Sequence, residues 1–155
     1  MSRHPDTDRN FDDLGKIFSR NIYDSPKGKI RLEVLWQHLL QQLPLLVQGT
    51  SLEILDAGCG MGQMAARLVS QGHRLTLCDI SNDMLAAARK TINEHCQPGE
   101  GCIGQAVYHQ LALQQLPEQL AQTFPLVLCH AVLEWLAEPQ QAISHLAQLV
   151  SEEGY

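Results

Sequence analysis

The sequence predicts an α/β fold in which a parallel sheet is covered by helices on both of its faces. From residue 51 onward, short apolar runs typical of strands alternate with helical segments. A glycine-rich turn, Asp56–Gly62, follows the first of these strands, and the second strand ends in an acid, Asp79. A glycine turn between strand and helix, with an acid one strand later, is typical of a nucleoside-binding sheet.

The first fifty residues are predicted to form a tail and a helical cap. Residues 1–10 are polar and are expected to be disordered, and residues 11–50 carry apolar positions at helical spacing. The segment Tyr23–Pro26 divides this cap into two helices, because Ser25 suits an N-cap and Pro26 a first helical turn. The cap is expected to end near Pro44 and Gly49.

Residues 51–155 are predicted to form the cofactor-binding domain. The predicted strands are 52–56, 74–79, 105–110 and 124–129, and the predicted helices are 61–71, 81–95 and 139–150. Parallel strands bind ligands beyond their carboxyl ends. Asp56, Asp79, Ala112 and His130 lie at these ends, so we expect them to meet at one edge of the sheet.

Four parallel strands would leave an apolar edge open. The last residues, Ser151–Tyr155, are typical of a turn that leads into another strand. We therefore expect either a C-terminally truncated domain or an edge that a partner covers. The oligomeric state is not predicted.

The composition limits the classes of function. The chain has 155 residues, is 45% hydrophobic and has no apolar run long enough to span a bilayer. Its polar N-terminus resembles no secretory signal, so a cytoplasmic protein is expected. A net charge of −6 argues against a general nucleic-acid surface, although a basic cluster occurs at Arg20, Lys27, Lys29 and Arg31.

The cysteines predict no metal site. Cys59, Cys78 and Cys129 occur in apolar contexts, where a thiol acts as a small hydrophobic group. Cys96 and Cys102 match no short zinc-binding spacing.

The glycine turn allows three interpretations. A dinucleotide fingerprint requires glycine where this chain has Gln63, and the third glycine comes one residue earlier, at Gly62. With Asp56 two residues before Gly58, the turn resembles the Asp-x-Gly-x-Gly-x-Gly loop of class I S-adenosylmethionine-dependent methyltransferases. Dinucleotide binding and a purely structural tight turn are the alternatives.

The residues of the glycine turn are chemically suited to binding S-adenosylmethionine. Gly58 and Gly60 leave room for a cofactor against the backbone, and the next helix N-terminus favours its carboxylate. Asp56 is expected to attract the cofactor ammonium through water. The two oxygens of Asp79 can accept hydrogen bonds from both ribose hydroxyls.

Further segments resemble one family over residues 9–150. They are Arg9–Asp13, Phe18–Tyr23, Lys27–Arg31, Leu55–Gly58, Leu77–Asp79 and His130–Trp135. The family is that of the bacterial tRNA 5-carboxymethoxyuridine methyltransferases, of which this chain resembles the N-terminal part. The resemblance implies a Rossmann-like fold, S-adenosylmethionine as cofactor and the wobble uridine of tRNA as substrate. It implies cofactor contacts from Arg31, Gly58, Cys59, Asp79, Ala112, Leu113 and His130.

Two positions depart from this pattern. Cys59 can contribute only its backbone, and the segment Ala112–Gln115 has no acid where many relatives place one beside the adenine. We expect glutamine or a backbone carbonyl to meet the adenine amino group there.

The other candidate residues have structural alternatives. Arg31 could be a surface residue of its helix, and His130 a buried histidine bonded to backbone. Trp36 and Trp135 are expected to be core anchors. No residue is assigned to catalysis, and Arg31 and Tyr23 are the candidates to hold a substrate carboxylate. A methyltransferase of small carboxylic acids or other metabolites, and a non-catalytic fragment, remain alternative functions.

Overall fold

A computed structural model of the chain describes residues 7–12, 25–96 and 104–155. Five α-helices and four strands lie in these ranges. The helices are α1 (Pro26–Gln42), α2 (Gln63–Ser70), α3 (Asn82–His95), α4 (Leu116–Gln119) and α5 (Pro139–Ala147). The strands are β1 (Glu53–Ala57), β2 (Arg74–Asp79), β3 (Gln105–Gln110) and β4 (Leu126–Leu128). In the described ranges, every helix is too short or too polar to cross a membrane.

The helical cap is described from its second helix onward. Ser25 caps α1 by accepting a hydrogen bond from the Gly28 N–H at 3.1 Å, and Pro26 occupies the first turn. None of the α1 residues is fully buried, so this helix covers the domain rather than entering its core. The first helix expected in the cap falls mostly on residues 13–24, outside the described residues.

The sheet confirms the predicted parallel fold. Its strand order is β3-β2-β1-β4 and every pairing is parallel. β1 lies between β2 and β4, pairing Asp56 with Leu77 on one side and with Leu128 on the other. All four carboxyl ends therefore meet at one edge, next to the turn that follows β1.

Helices cover both faces of the sheet because side chains of a strand alternate between its faces. On one face, Ile54 packs with α2 and α3 residues such as Leu68 and Ala88. On the other face, Leu55 packs with Phe124 and with α5 residues such as Leu146. These alternating apolar residues produce the two buried layers that hold β1 rigidly in place.

The structure differs from the sequence prediction at several points. Helix α4 and the short 3-10 turns at 113–115 and 133–135 were not predicted, and β4 is shorter than expected. Residues 7–10 were expected to be disordered, yet the Asp8 side chain and the Arg9 backbone form hydrogen bonds with the domain. Cys96 is disulfide-bonded, a state that the sequence did not predict.

Candidate active site

The glycine turn is pinned to the end of β2 by its own N–H groups. Gly58 and Cys59 both donate to the Cys78 carbonyl, at 2.7 and 3.0 Å, and Gly60 donates to Asp79 Oδ2 at 2.9 Å. These three donors are used within the protein, and they hold the turn against the end of β2. The first turn of α2, which follows the glycine turn, adds backbone N–H groups at this end of the sheet.

Glycine is required at two places in the turn by both conformation and space. Gly58 and Gly62 have φ values of +76° and +72°, in the left-handed region that side chains disfavour. A Cβ on Gly58 would lie 2.5 Å from Val132 Cγ2, and one on Gly62 would lie 2.9 Å from Ala88 Cβ. The turn thus lets the loop after β4 and helix α3 approach the backbone closely.

Two adjoining cavities open at this edge of the sheet. They enclose about 670 and 790 Å³, counting space open to solvent, and share a wall made by Gly58, His130, Ala131 and Trp135. The first cavity extends toward the ends of β2 and β3, and the second toward α1. Together they could hold a long ligand that passes over the glycine turn.

The structure brings the described candidate residues to these cavities. The first is lined by Gly58, Gly60, Asp79, Ala112, Leu113 and His130, and the second by Arg31, Asp56, Gly58, Cys59 and His130. Tyr23 lies outside the described residues. His130 is exposed rather than buried, so the core-histidine alternative is wrong, whereas Arg31 is both a surface residue and a cavity residue. Their roles toward a ligand stay predictions.

Asp56 is a buried acid that the described part of the protein leaves without a hydrogen-bond donor. Asp56 is only 5% exposed, and it lines the second cavity. Burial, and then the negative charge of Asp79, raise the pKa of Asp56 to about 7. A cation bound in this cavity would favour the ionised form, which makes Asp56 a suitable partner for an ammonium group.

Asp79 has a different environment at the end of β2. Burial raises its pKa, while N–H donors from Ser81 and Gly60 act in the opposite direction. Ser81 N–H donates to Oδ1 at 2.9 Å, and Gly60 N–H to Oδ2. Each oxygen keeps a lone pair, so the carboxylate can still accept two ligand hydroxyls.

Arg31, His130 and Glu134 line the second cavity together. Although the residue is exposed, partial desolvation of its ring, and then the positive charge of Arg31, lower the pKa of His130, and Glu134 partly opposes this change. The lowered pKa favours the neutral imidazole of His130. Arg31 forms neither a hydrogen bond nor an ion pair with another described residue, so its guanidinium is available to an anion.

Sequence reasoning missed several residues of the first cavity. Asp8, Arg9 and Phe11 line it from the N-terminal segment, and Trp135, expected to be a core anchor, lines both cavities. The Phe11 and Trp135 rings meet edge to face at a centroid distance of 5.4 Å. Phe11 lay within a segment shared with the resembled family, but nothing local in the sequence indicated that this segment reaches the site.

The residues present fit S-adenosylmethionine. The second cavity offers the ammonium a buried acid, Asp56, which has no hydrogen-bond donor among the described residues, and it offers the carboxylate the start of α2. The first offers the Asp79 carboxylate for a ribose and apolar walls for a base. The fold and the site define a class I S-adenosylmethionine-dependent methyltransferase domain, which confirms the cofactor predicted from the sequence.

The sequence model described as "Methyltransferase domain" matches residues 55–155, and the chain belongs to this family. It is 37% identical over 139 residues to the tRNA 5-carboxymethoxyuridine methyltransferase of Escherichia coli, covering 90% of this chain and 51% of that protein. It is 31% identical over 101 residues to the ubiquinone biosynthesis O-methyltransferase of Aromatoleum aromaticum, covering 65% of this chain and 40% of that protein.

A solved structure shares the fold. The magnesium protoporphyrin IX methyltransferase from Synechocystis with bound SAM superimposes with a TM-score of 0.67 at 26% identity. The match covers 91% of this chain and 68% of that one. The chain spans about half the length of the tRNA-modifying relative, so the similarity concerns only that part of the relative.

Proposed function

We propose that this chain binds S-adenosylmethionine and contributes the methyl-transferring site of a tRNA-modifying enzyme in the cytoplasm. The substrate is the carboxylate of 5-carboxymethoxyuridine at the wobble position, and the product is its methyl ester. The observation that carries the substrate proposal is Arg31, whose guanidinium lines the second cavity and forms no ion pair with another described residue. The similarity to the Escherichia coli enzyme over 90% of this chain supports the tRNA nucleoside.

The chemistry requires positioning more than proton transfer. S-adenosylmethionine would supply an electrophilic methyl group: a carboxylate oxygen would form a bond to the methyl carbon, the methyl–sulfur bond would break, and the products would be the neutral ester and S-adenosylhomocysteine. A carboxylate with a pKa near 4 is already ionised at neutral pH, so no general base is needed. The protein's task is to orient the carboxylate and exclude water.

Arg31 suits the orienting role because a guanidinium can hold both oxygens of a carboxylate. Glu134 and Asp56, which also line the second cavity, would repel a substrate anion placed beside them. The anion is therefore directed toward Arg31, whose positive charge attracts it. After transfer the ester has no charge, so its attraction to the guanidinium falls and product release is favoured.

A binding experiment tests the cofactor part of the proposal. Isothermal titration of the folded 155-residue chain with S-adenosylmethionine should show one site, which Asp79→Ala weakens at least tenfold. Folded chain that gives no binding heat would support the alternative of a non-catalytic fragment.

A turnover experiment tests the substrate part. The protein is incubated with labelled S-adenosylmethionine and tRNA that lacks the ester, and nucleosides are analysed for loss of 5-carboxymethoxyuridine. Arg31→Ala should lower turnover about 10- to 100-fold, because it removes charge-assisted hydrogen bonds. Lys29→Ala is the matched control, since Lys29 is exposed on the same helix and lines neither cavity. Equal turnover in the two variants would refute the role of Arg31.

A second candidate is a methyltransferase of small carboxylic acids. The net charge of −6 favours it, because a tRNA substrate benefits from a basic surface. The same labelled cofactor, offered with small carboxylic acids in place of tRNA, separates the two substrates. Methyl esters formed without tRNA would support this second candidate.

A further inference from the structure

The N-terminal segment 7–12, called here the strap, crosses the carboxyl edge of the sheet above the first cavity. At one end, the Arg9 N–H donates to the Trp135 carbonyl at 3.1 Å. At the other end, Asp12 Oδ1 accepts hydrogen bonds from Ser81 Oγ at 2.7 Å and from the Asp83 N–H at 3.3 Å. The strap therefore joins the loop after β4 to the start of α3.

Asp8 is held in this strap by two donors. Its Oδ1 accepts from the Ala137 N–H at 2.9 Å, and its Oδ2 accepts from Gln114 Nε2 at 2.7 Å. Gln114 lies directly after Ala112 and Leu113, the residues expected beside the adenine. The carboxylate of Asp8 is thereby fixed at the β3 end of the first cavity, which it lines.

The position of the Asp8 carboxylate in the first cavity allows it to accept a hydrogen bond from a bound base. Among its described lining residues, Asp8 and Asp79 are the two acids, and Asp79 lies at the β2 end, where a ribose would be placed. Each Asp8 oxygen keeps one lone pair after its observed hydrogen bond. A base with an exocyclic amino group could donate to such an oxygen, whereas a base with a keto group would present a second acceptor to it.

We propose that Asp8 accepts a hydrogen bond from the adenine amino group and so selects an adenosyl cofactor. Asp8 takes the place of the acid that is missing from Ala112–Gln115, and Gln114 acts as a positioning residue that orients the carboxylate. This inference rests on the proposed binding of S-adenosylmethionine and adds the residue that reads its base.

The test compares two ligands that differ at the amino group. Dissociation constants of the 155-residue chain are measured by calorimetry for S-adenosylhomocysteine and S-inosylhomocysteine, which carries a keto group instead. The wild-type chain should prefer the adenosyl ligand by at least about tenfold. Asp8→Ala should reduce that preference to within about threefold, mainly by weakening the adenosyl ligand.

Control variants separate this effect from general damage to the site. Glu138→Ala removes a neighbouring exposed acid that lines neither cavity and should leave the preference unchanged. Asp79→Ala should weaken both ligands by a similar factor, because both contain the same ribose. If Asp8→Ala does not fold, Gln114→Ala tests the proposal instead. This variant removes a hydrogen bond to the Asp8 carboxylate and should lower the preference for the adenosyl ligand.

The same measurements distinguish a failure of the proposed cofactor binding from a failure of the role proposed for Asp8. If the wild-type chain binds neither ligand, the proposed function fails and this inference with it. If the chain binds S-adenosylhomocysteine but shows no preference, or keeps its preference in both Asp8→Ala and Gln114→Ala, the role of Asp8 is overturned while cofactor binding stands.

Discussion

Replacing Asp56 by asparagine should stabilise the cofactor-free protein at pH 8. The carboxyl is 5% exposed, lacks a hydrogen-bond donor among the described residues and has its pKa raised from 3.8 to about 7. At pH 8 it is ionised in both the folded and the unfolded state. Folding then requires burying an unpaired charge, whereas asparagine is neutral at every pH.

The magnitude follows from the two pKa values. A change from 3.8 to about 7 is equivalent to about 4 kcal/mol at 1.36 kcal/mol for each pH unit. Between pH 3.8 and about pH 7, Asp56 binds more protons in the folded state than in the unfolded state. The contribution of Asp56 to stability therefore falls as pH rises through this interval. The advantage of the asparagine variant should be about 2–3 kcal/mol larger at pH 8 than at pH 5.

Urea denaturation at pH 5, 6.5 and 8, followed by circular dichroism, measures this difference. Glu53→Gln is the control, because Glu53 lies on the same strand with 42% of its side chain exposed and pairs with Arg74. It should show no comparable stabilisation as pH rises. The reasoning would be refuted if the free-energy difference between Asp56→Asn and wild type were the same at all three pH values. The variant should also bind S-adenosylmethionine more weakly, because it lacks the charge that attracts the ammonium.

Three further substitutions test the backbone and core that support the site. Gly62→Ala should lower the free energy of unfolding, measured in urea, by about 2–3 kcal/mol, because residue 62 has a left-handed conformation and its new Cβ would meet Ala88 of helix α3. Adding Ala88→Gly should recover part of this loss, because it removes the atom that the new Cβ meets. Ala131→Gly should raise stability by up to about 1 kcal/mol, because Ala131 has a φ of +57°; an unchanged or lower melting temperature would contradict that expectation. His73→Ala should cost about 2–4 kcal/mol, as its buried ring hydrogen-bonds two backbone groups, and wild-type stability in this variant would disprove the role.

The sheet and the position of the site were predictable because they depend on short patterns. Short apolar runs between helical segments indicated the strands, and the position of Gly62 relative to Asp56 indicated the type of cofactor turn. Asp79 could be placed at the same edge because parallel strands end together. These inferences need only local sequence and one topological rule.

The rest of the site depends on contacts between residues far apart in the chain. Asp8 reaches Gln114 and Ala137, and no periodicity records such a contact. Trp135 was expected in the core because large aromatic residues usually lie there, but the 3-10 turn after β4 directs it to the cavities. Tyr23, in contrast, lies outside the described residues, so its expected role stays a prediction.

The strap has a consequence for the order in which the chain folds as it leaves the ribosome. Two of its anchors, Trp135 and Ala137, are synthesised long after residues 7–12. Strands β1, β2 and β3 can pair as they emerge, while the other side of β1 stays open until β4 is made. Residues 7–12 can therefore form their full set of contacts only after Ala137 has been made, so the first cavity is completed late in the synthesis of these 155 residues.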